Sequence, residues 1–340
     1  MHNHDEILQL VKIIIMSIKA KNNIDIEAYL STKKEIVNNC LNGLLSKNSD
    51  FSEPNELWET IRYSLLDAGK RFRAILCLAT YEALTEEQND LLEDCLIVAS
   101  SIETIHAMSL IHDDLPSMDN DDLRRGKPSC HKAFGEANAI LAGDAMLGLS
   151  VQLIIEETKK ITNSQKIEII NTLCRAFTLG LVPGQVLDLN ASGNNSEKVD
   201  LSLIEKIYTL KTAELIKASV LCGAYVALSD TDSLSAPKIL NKMSKDDLIR
   251  KLSNFGLKLG IAFQIIDDVL DATSDTKTLG KTSGKDEKQK KATYPMNIGI
   301  ESSRKIANEL ILDAKNIILD LPINKDTLLA LSNCVINRIN

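Results

Sequence analysis

The chain has 340 residues and a net charge of −8, with 44% apolar and 25% charged residues, a balance ordinary for a globular protein. That acidity argues against nucleic acid as the main partner, and it conflicts with binding a diphosphate unless metal ions reverse the sign locally. With only 7 prolines, 15 glycines and 4% aromatics, the long Leu/Ile/Ala/Lys/Glu stretches run almost unbroken, which predicts an all-α fold.

Residues 1–24 read as an N-terminal extension. Its longest apolar run, Ile7 to Met16, is interrupted by Gln9 and Lys12 and is too short to cross a membrane. A His/Asp/Glu-rich start without a small-residue cleavage site speaks against secretion, while Lys19 and Lys21 leave an organellar leader open. Asp25 can cap a first helix through Tyr29 and Ile36 to Leu45. A polar linker and Pro54 lead to a second helix through Trp58, Ile61 and Leu65, which stops at Gly69-Lys70-Arg71-Phe72-Arg73. Three cations at a helix break either complement the dipole of the helix end or form an anion site.

A helix over Ile75 to Leu84 is followed by a long one from Glu86 to Ile111. The latter carries almost no charge after Asp94 except Glu103, which implies burial on nearly all sides. It delivers Asp113, Asp114, Asp119, Asp121 and Asp122, with Pro116 ending the helix inside the run and Arg124-Arg125 directly after. Aspartates at the negative end of a helix dipole are unfavourable unless something positive neutralises them. Mg²⁺ shares carboxylates with substrate phosphates, and adjacent arginines contact phosphates through bidentate bonds. The stretch therefore predicts a metal-diphosphate site.

Lys127 to Gly135 reads as loop. Helices follow from Glu136 to Lys160 and from Gln165 to Leu189, the second broken at Gly184 before Gln185 and Asp188. After a turn region at 190–198, Leu201 to Leu228 is helical and contains Lys211-Thr212; Ser229 to Ala236 is loop. A helix from Asp246 or Asp247 to Asp271 places Gln264, Asp267, Asp268 and Asp271 at i, i+3, i+4 and i+7, on one face. The polar, lysine-rich stretch Thr273 to Lys291 reads as loop, and two helices, Ile298 to Leu319 and Lys325 to Ile339, finish the chain. No strand alternation, repeat or composition shift divides residues 25–340, which read as one domain. The seven scattered cysteines lack CxxC spacing and predict buried free thiols in a reducing compartment.

These motifs, in this order, resemble the trans-isoprenyl diphosphate synthases of the bacterial and plastid type, over roughly residues 25–340. The resemblance rests on Gly69 to Arg73, His106, Asp113-Asp114-Leu115-Pro116-Ser117-Met118-Asp119, Arg124-Arg125-Gly126, Gly143-Asp144-Ala145 and Gly184 to Asp188. It continues through Lys211-Thr212, Phe263 to Asp271, Gly280-Lys281, Gly284-Lys285-Asp286 and Lys291 to Pro295. It implies an all-α antiparallel helical bundle around a central cavity, a homodimer, and three Mg²⁺ ions per active site, with Mn²⁺ as a substitute. By position, Asp113, Asp119 and Asp267 are implied metal ligands, with Asp114, Asp268 and Asp271 in support. Arg124, Lys211, Lys281 and Lys291 would hold the allylic diphosphate (dimethylallyl, geranyl or farnesyl), and Gly69, Lys70, Arg73, His106 and Arg125 isopentenyl diphosphate. Thr212 and Gln264 would line the site of the carbocation. The chain departs from the family at Ala74, where a proline is usual, and at Pro183, where a glycine is frequent.

The resemblance further ties product length to Met108, five residues before the first aspartate, and to its small neighbour Ser109. Helix periodicity alone puts Ser109, not Met108, beneath Asp113. A flexible methionine in place of a large aromatic yields volume to a growing chain, so geranylgeranyl diphosphate is the expected product and farnesyl diphosphate the alternative. A class I terpene cyclase and a non-catalytic partner subunit are the rival readings. The expected compartment is a bacterial cytoplasm or a plastid.

Overall fold

The computed structural model describes residues 25–47, 54–66, 69–85, 90–192, 199–228, 242–273 and 292–337. Helix α1 (Ile26–Lys47) starts where Asp25 accepts the Ala28 N–H at 3.1 Å, and α2 (Asn55–Leu66) follows Pro54. Helices α3 (Phe72–Thr85) and α4 (Leu92–Asp113) come next. Helix α3 begins three residues earlier than its apolar pattern suggests, because the buried Glu103 carboxylate accepts the Ala74 N–H at 3.1 Å. Helix α4 begins later, after a turn at Asp90–Leu91.

The core is built around α4, against which α1, α2, α3, α6 (Glu136–Glu157) and α10 (Glu214–Ala227) all pack. Burial on every side explains its lack of an apolar stripe. Its two buried carboxylates are matched: Asp94 accepts the backbone N–H groups of Lys159, Lys160 and Ile161 at 3.0, 2.6 and 2.7 Å, and Glu103 faces Arg71.

The stretch read as loop after Asp122 contains a two-strand ribbon, β1 (Leu123–Arg124) with β2 (Lys127–Pro128), and a short helix α5 (Cys130–Phe134). Its turn, Arg125-Gly126, has φ of +56° and +80°, the left-handed pair that a two-residue hairpin loop requires.

Helix α7 (Asn163–Arg175) opens with a Thr162/Gln165 capping box, then widens to a π turn (Ala176–Leu181) and continues as α8 (Val182–Ala191). Gly184 therefore does not break the helix. A Cβ there would lie 2.4 Å from the Lys211 backbone nitrogen, so glycine is needed for close packing, not for a turn. The same pattern recurs in α9 (Leu201–Tyr208), a second π turn (Thr209–Ala213) and α10. The two π turns lie against each other. Pro183, which has no N–H, stands just after the first, where the Val182 N–H reaches back five residues to the Phe177 carbonyl.

Helix α11 (Lys245–Thr273) packs along α10 and α13 (Ile300–Leu319), beyond the short α12 (Tyr294–Ile298), and α14 (Asp326–Asn337) closes on α13. One apolar core runs from Tyr29 to Val335. Helices α4 and α6 are long and apolar enough to cross a membrane; 72% of the apolar window of α4 is buried but only 44% of that of α6. Of the cysteines, all free, Cys77, Cys95, Cys130 and Cys222 are buried, Cys40 and Cys334 half-buried, and Cys174 is exposed, against expectation.

Candidate active site

The first aspartate run is folded back on itself. Asp113 is the last residue of α4, and the Asp119 N–H returns to its carbonyl at 2.8 Å. The Met118 and Asn120 N–H groups both bind the Leu115 carbonyl, at 2.9 and 3.0 Å. This loop, closed by Asn120 at φ +49°, brings the two ends of the motif side by side. Burial, reinforced by Asp119 and Asp114, pushes the Asp113 carboxyl up to about 6 even though Lys211 and Arg124 oppose the shift.

Asp114 is placed differently. It is 2% exposed, and Arg124 clamps it through Nε at 3.1 Å and through a second, shorter contact from Nη2. Arg124 also reaches Asp121 at 3.4 Å. Asp114 thus anchors an arginine. The hairpin turn then sends Arg125 elsewhere: its guanidinium lies over Gly69, where a Cβ would come within 3.0 Å of Nε. Gly69 has φ +24°. Two adjacent arginines thus serve two separate places.

Around Gly69 the three cations divide. Arg71 is buried with φ +53° and binds Asn38 at 2.8 Å, Glu103 at 3.4 Å and the carbonyls of Leu65 and Leu66 at 2.7 and 3.3 Å. It closes the open end of α2, as a basic helix terminus should. Lys70 is exposed, and Arg73 Nη1 stands 3.4 Å from His106 Nε2. Burial, then Arg73, Arg125, Arg124 and Arg71, hold His106 well below the ordinary imidazole range, so its ring is neutral at pH 7. Burial also lowers Arg125, which Glu103 opposes. The structure brings Gly69, Arg73, His106 and Arg125 together. Ala74 here supplies an N–H that a proline would lack.

The second aspartate cluster belongs to α11. Thr212 Oγ1 donates to Gln264 Oε1 at 2.6 Å, and Gln264 Nε2 donates to Asp268 Oδ1 at 2.8 Å. Tyr208 donates a short hydrogen bond to the other Asp268 oxygen and accepts the Tyr294 N–H at 3.1 Å. Asp268 is buried with both oxygens engaged, whereas Asp267 and Asp271 are half-buried. Tyr208 gives no signal of a site role in the sequence, since an isolated tyrosine in a helix has no telling spacing, whereas Tyr294 belongs to the Lys291 to Pro295 motif and enters through its backbone N–H. Lys211, on the second π turn, pairs with Asp188 at 2.6 Å and is the strongest of the charges that oppose the rise of the Asp113 carboxyl. Phe72 and Phe263 stack across the gap with centroids 5.2 Å apart. Lys281 and Lys291 lie outside the described residues.

Among the described residues, no three His, Cys, Asp or Glu side chains converge on a metal position. Asp113, Asp119 and Asp267 still fit a hard cation, since all three offer only oxygen. Mg²⁺ keeps waters and takes one or two carboxylates plus substrate phosphates, so it needs no all-protein cage. Below the first run, Met108 is buried at 1% exposure, while Ser109 is half-buried and donates to the His106 carbonyl at 2.9 Å.

Residues 54–317 match the polyprenyl synthetase family model. The chain is 39% identical over 323 residues to the chloroplastic heterodimeric geranylgeranyl pyrophosphate synthase large subunit 1 of Arabidopsis thaliana, covering 94% of this chain and 81% of that protein. It is also 39% identical to the geranylgeranyl diphosphate synthase of Cyanophora paradoxa, over 94% and 99% of the two chains. Among solved structures, the Helicobacter pylori geranyltransferase complexed with magnesium and isoprenyl diphosphate superposes with a TM-score of 0.74. That pair is 29% identical, over 92% of this chain and 97% of the other. With its two aspartate clusters and divided arginine pair, the chain belongs to the polyprenyl synthetase family.

Proposed function

We propose that the protein joins isopentenyl diphosphate to an allylic diphosphate and carries elongation to geranylgeranyl diphosphate. The observation that carries this reading is the division of Arg124 and Arg125 between two places, one beside the aspartates and one in the Gly69/Arg73/His106 cluster. Two anionic substrates need two such places. A terpene cyclase, with one diphosphate, has no use for the second, and a non-catalytic subunit has no use for two complete aspartate motifs.

Reaction begins when the allylic C–O bond breaks and its electron pair leaves with the diphosphate. Asp113, Asp119 and Asp267 would hold Mg²⁺, which would supply the positive charge that neutralises the leaving group. Lys211 adds a cation on the same side, and Arg124, steered by Asp114, adds another. The isopentenyl double bond attacks the allylic cation, and a proton is lost to the departing diphosphate. Arg73, Arg125, Lys70 and neutral His106 hold the isopentenyl diphosphate without a carboxylate cluster, which suits a substrate that is not ionised. The Thr212 and Gln264 dipoles, fixed by Asp268 and Tyr208, face the cation.

Met108, buried on α4 before the first aspartate run, is inferred to limit the growing chain, and the relatives named above support a twenty-carbon product. The exposed apolar residues of α6 to α8 support a homodimer, and the compartment is a plastid, as for the Arabidopsis relative, or a bacterial cytoplasm. Incubation with isopentenyl diphosphate, each allylic starter and Mg²⁺, with chromatography of the dephosphorylated alcohols, tests the reading. Geranylgeraniol is expected from the wild type and shorter alcohols from Met108→Tyr. No elongation with any starter overturns the synthase, and an unchanged spectrum for Met108→Tyr removes the role of Met108.

A further inference from the structure

Gln185 has no part in the reaction as described, yet its environment is unusual. Its Nε2 and Oε1 are both shielded from solvent without a hydrogen-bond partner among the described residues. A buried amide left unpaired costs about 1–3 kcal/mol, and native proteins leave few such groups. Its backbone is held rigidly. Gly184, one residue before, is pressed against the Lys211 backbone, and Asp188, nearly one turn on, binds Lys211 Nζ at 2.6 Å. The helix carrying it leaves a π turn that abuts the π turn bearing Lys211, and π turns recur at functional sites. An orphan amide thus sits on the helix segment whose Gly184 and Asp188 both meet Lys211.

We propose that Gln185 is a positioning residue for the allylic diphosphate, its Nε2 donating to a diphosphate oxygen on the Lys211 side of the site. The donor is idle in the free protein and is satisfied only when that anion is bound. A neutral donor suits a place where Asp188 already balances the lysine: it orders the phosphate without adding charge. This rests on the prenyl-transfer reading above.

The test uses Gln185→Leu, which removes the amide, Gln185→Met as a second apolar variant should leucine disturb the helix, and Gln185→Glu, which keeps the shape but replaces the donor with an acceptor. The probe is an allylic thiolodiphosphate with Mg²⁺, in which sulfur at the bridging position blocks ionisation; its Kd is measured by calorimetry beside that of isopentenyl diphosphate. Leucine or methionine should weaken the thiolodiphosphate on the order of tenfold, the value of one hydrogen bond. Glutamate should weaken it at least as much. The Kd of isopentenyl diphosphate should stay unchanged, and the ligand-free apolar variants should melt no lower than wild type because the unpaired amide is gone. In steady state, KM for the allylic substrate should rise while KM for isopentenyl diphosphate stays. Wild-type affinity for the thiolodiphosphate in both apolar variants overturns the proposal, as does equal weakening of both ligands with a lower ligand-free Tm, which marks a structural role. If wild type itself fails to bind the thiolodiphosphate, the prenyl-transfer reading fails first, a result distinct from either.

Discussion

Asp113 and Asp114 are neighbours with identical side chains and opposite circumstances. Asp114 has an arginine built onto it, whereas Asp113 is sunk at the end of α4 with two other carboxylates near it and is pushed up to about 6. A raised carboxyl pKa means that the folded protein holds the proton more tightly than the unfolded chain does. The metal-free fold is therefore most stable with Asp113 protonated and loses that stability as pH rises through about 6. Asp113→Asn should raise the Tm of the metal-free protein by a few degrees well above pH 6, and the gain should shrink below it. Turnover should fall by about 10²-fold or more, since the carboxylate is lost to the cation. Melting curves at the two pH values, with and without Mg²⁺, check the sign. A lower Tm for the metal-free variant would contradict it.

Elements position these residues by close backbone approach as much as by charge. Gly184 lets α8 touch the π turn of Lys211, and sequence reading mistook this glycine for a helix break, because glycine gives one signal for two causes. Close approach to another segment leaves no local trace. Gly184→Ala should destabilise the fold by about 1–3 kcal/mol through overpacking and lower kcat as Lys211 shifts; chemical denaturation and steady-state kinetics measure both. The hairpin was missed for the opposite reason. Its strands are two residues each, too short for alternation to register, although Arg125-Gly126 supplies the positive φ pair it needs. The aspartate stripe on α11 was legible in full, since i, i+3, i+4 and i+7 define a face whatever packs against it.

At the scale of the whole molecule, α6 to α8 leave much apolar surface open. Leu141, Ile155, Ile167, Leu179 and Val186 are 57%, 53%, 67%, 56% and 52% exposed. Monomers rarely expose contiguous apolar patches of more than a few hundred Å², and the homodimer proposed above predicts that a second copy of the chain covers these residues. Sedimentation velocity should show a wild-type dimer, and Leu141→Asp combined with Ile167→Asp should shift it to monomer. An unchanged sedimentation coefficient would place the interface elsewhere.

What the sequence by itself determined about this protein is the chemistry and the local order: two acidic motifs on helix ends, the paired arginines, the helix succession and the apolar run of α4. These depend on residue type and spacing along one helix, and both can be read along the chain. Only the tertiary structure decided how like residues divide their work. Arg71 closes α2 while Arg73 meets His106, and Asp268 is enclosed by Gln264 and Tyr208 while Asp267 stays half-exposed. The Arg71–Glu103, Arg73–His106 and Tyr208–Asp268 contacts join partners 32, 33 and 60 positions apart. Burial and pairing at such distances are fixed when the helices pack, and no pattern within a single segment encodes them.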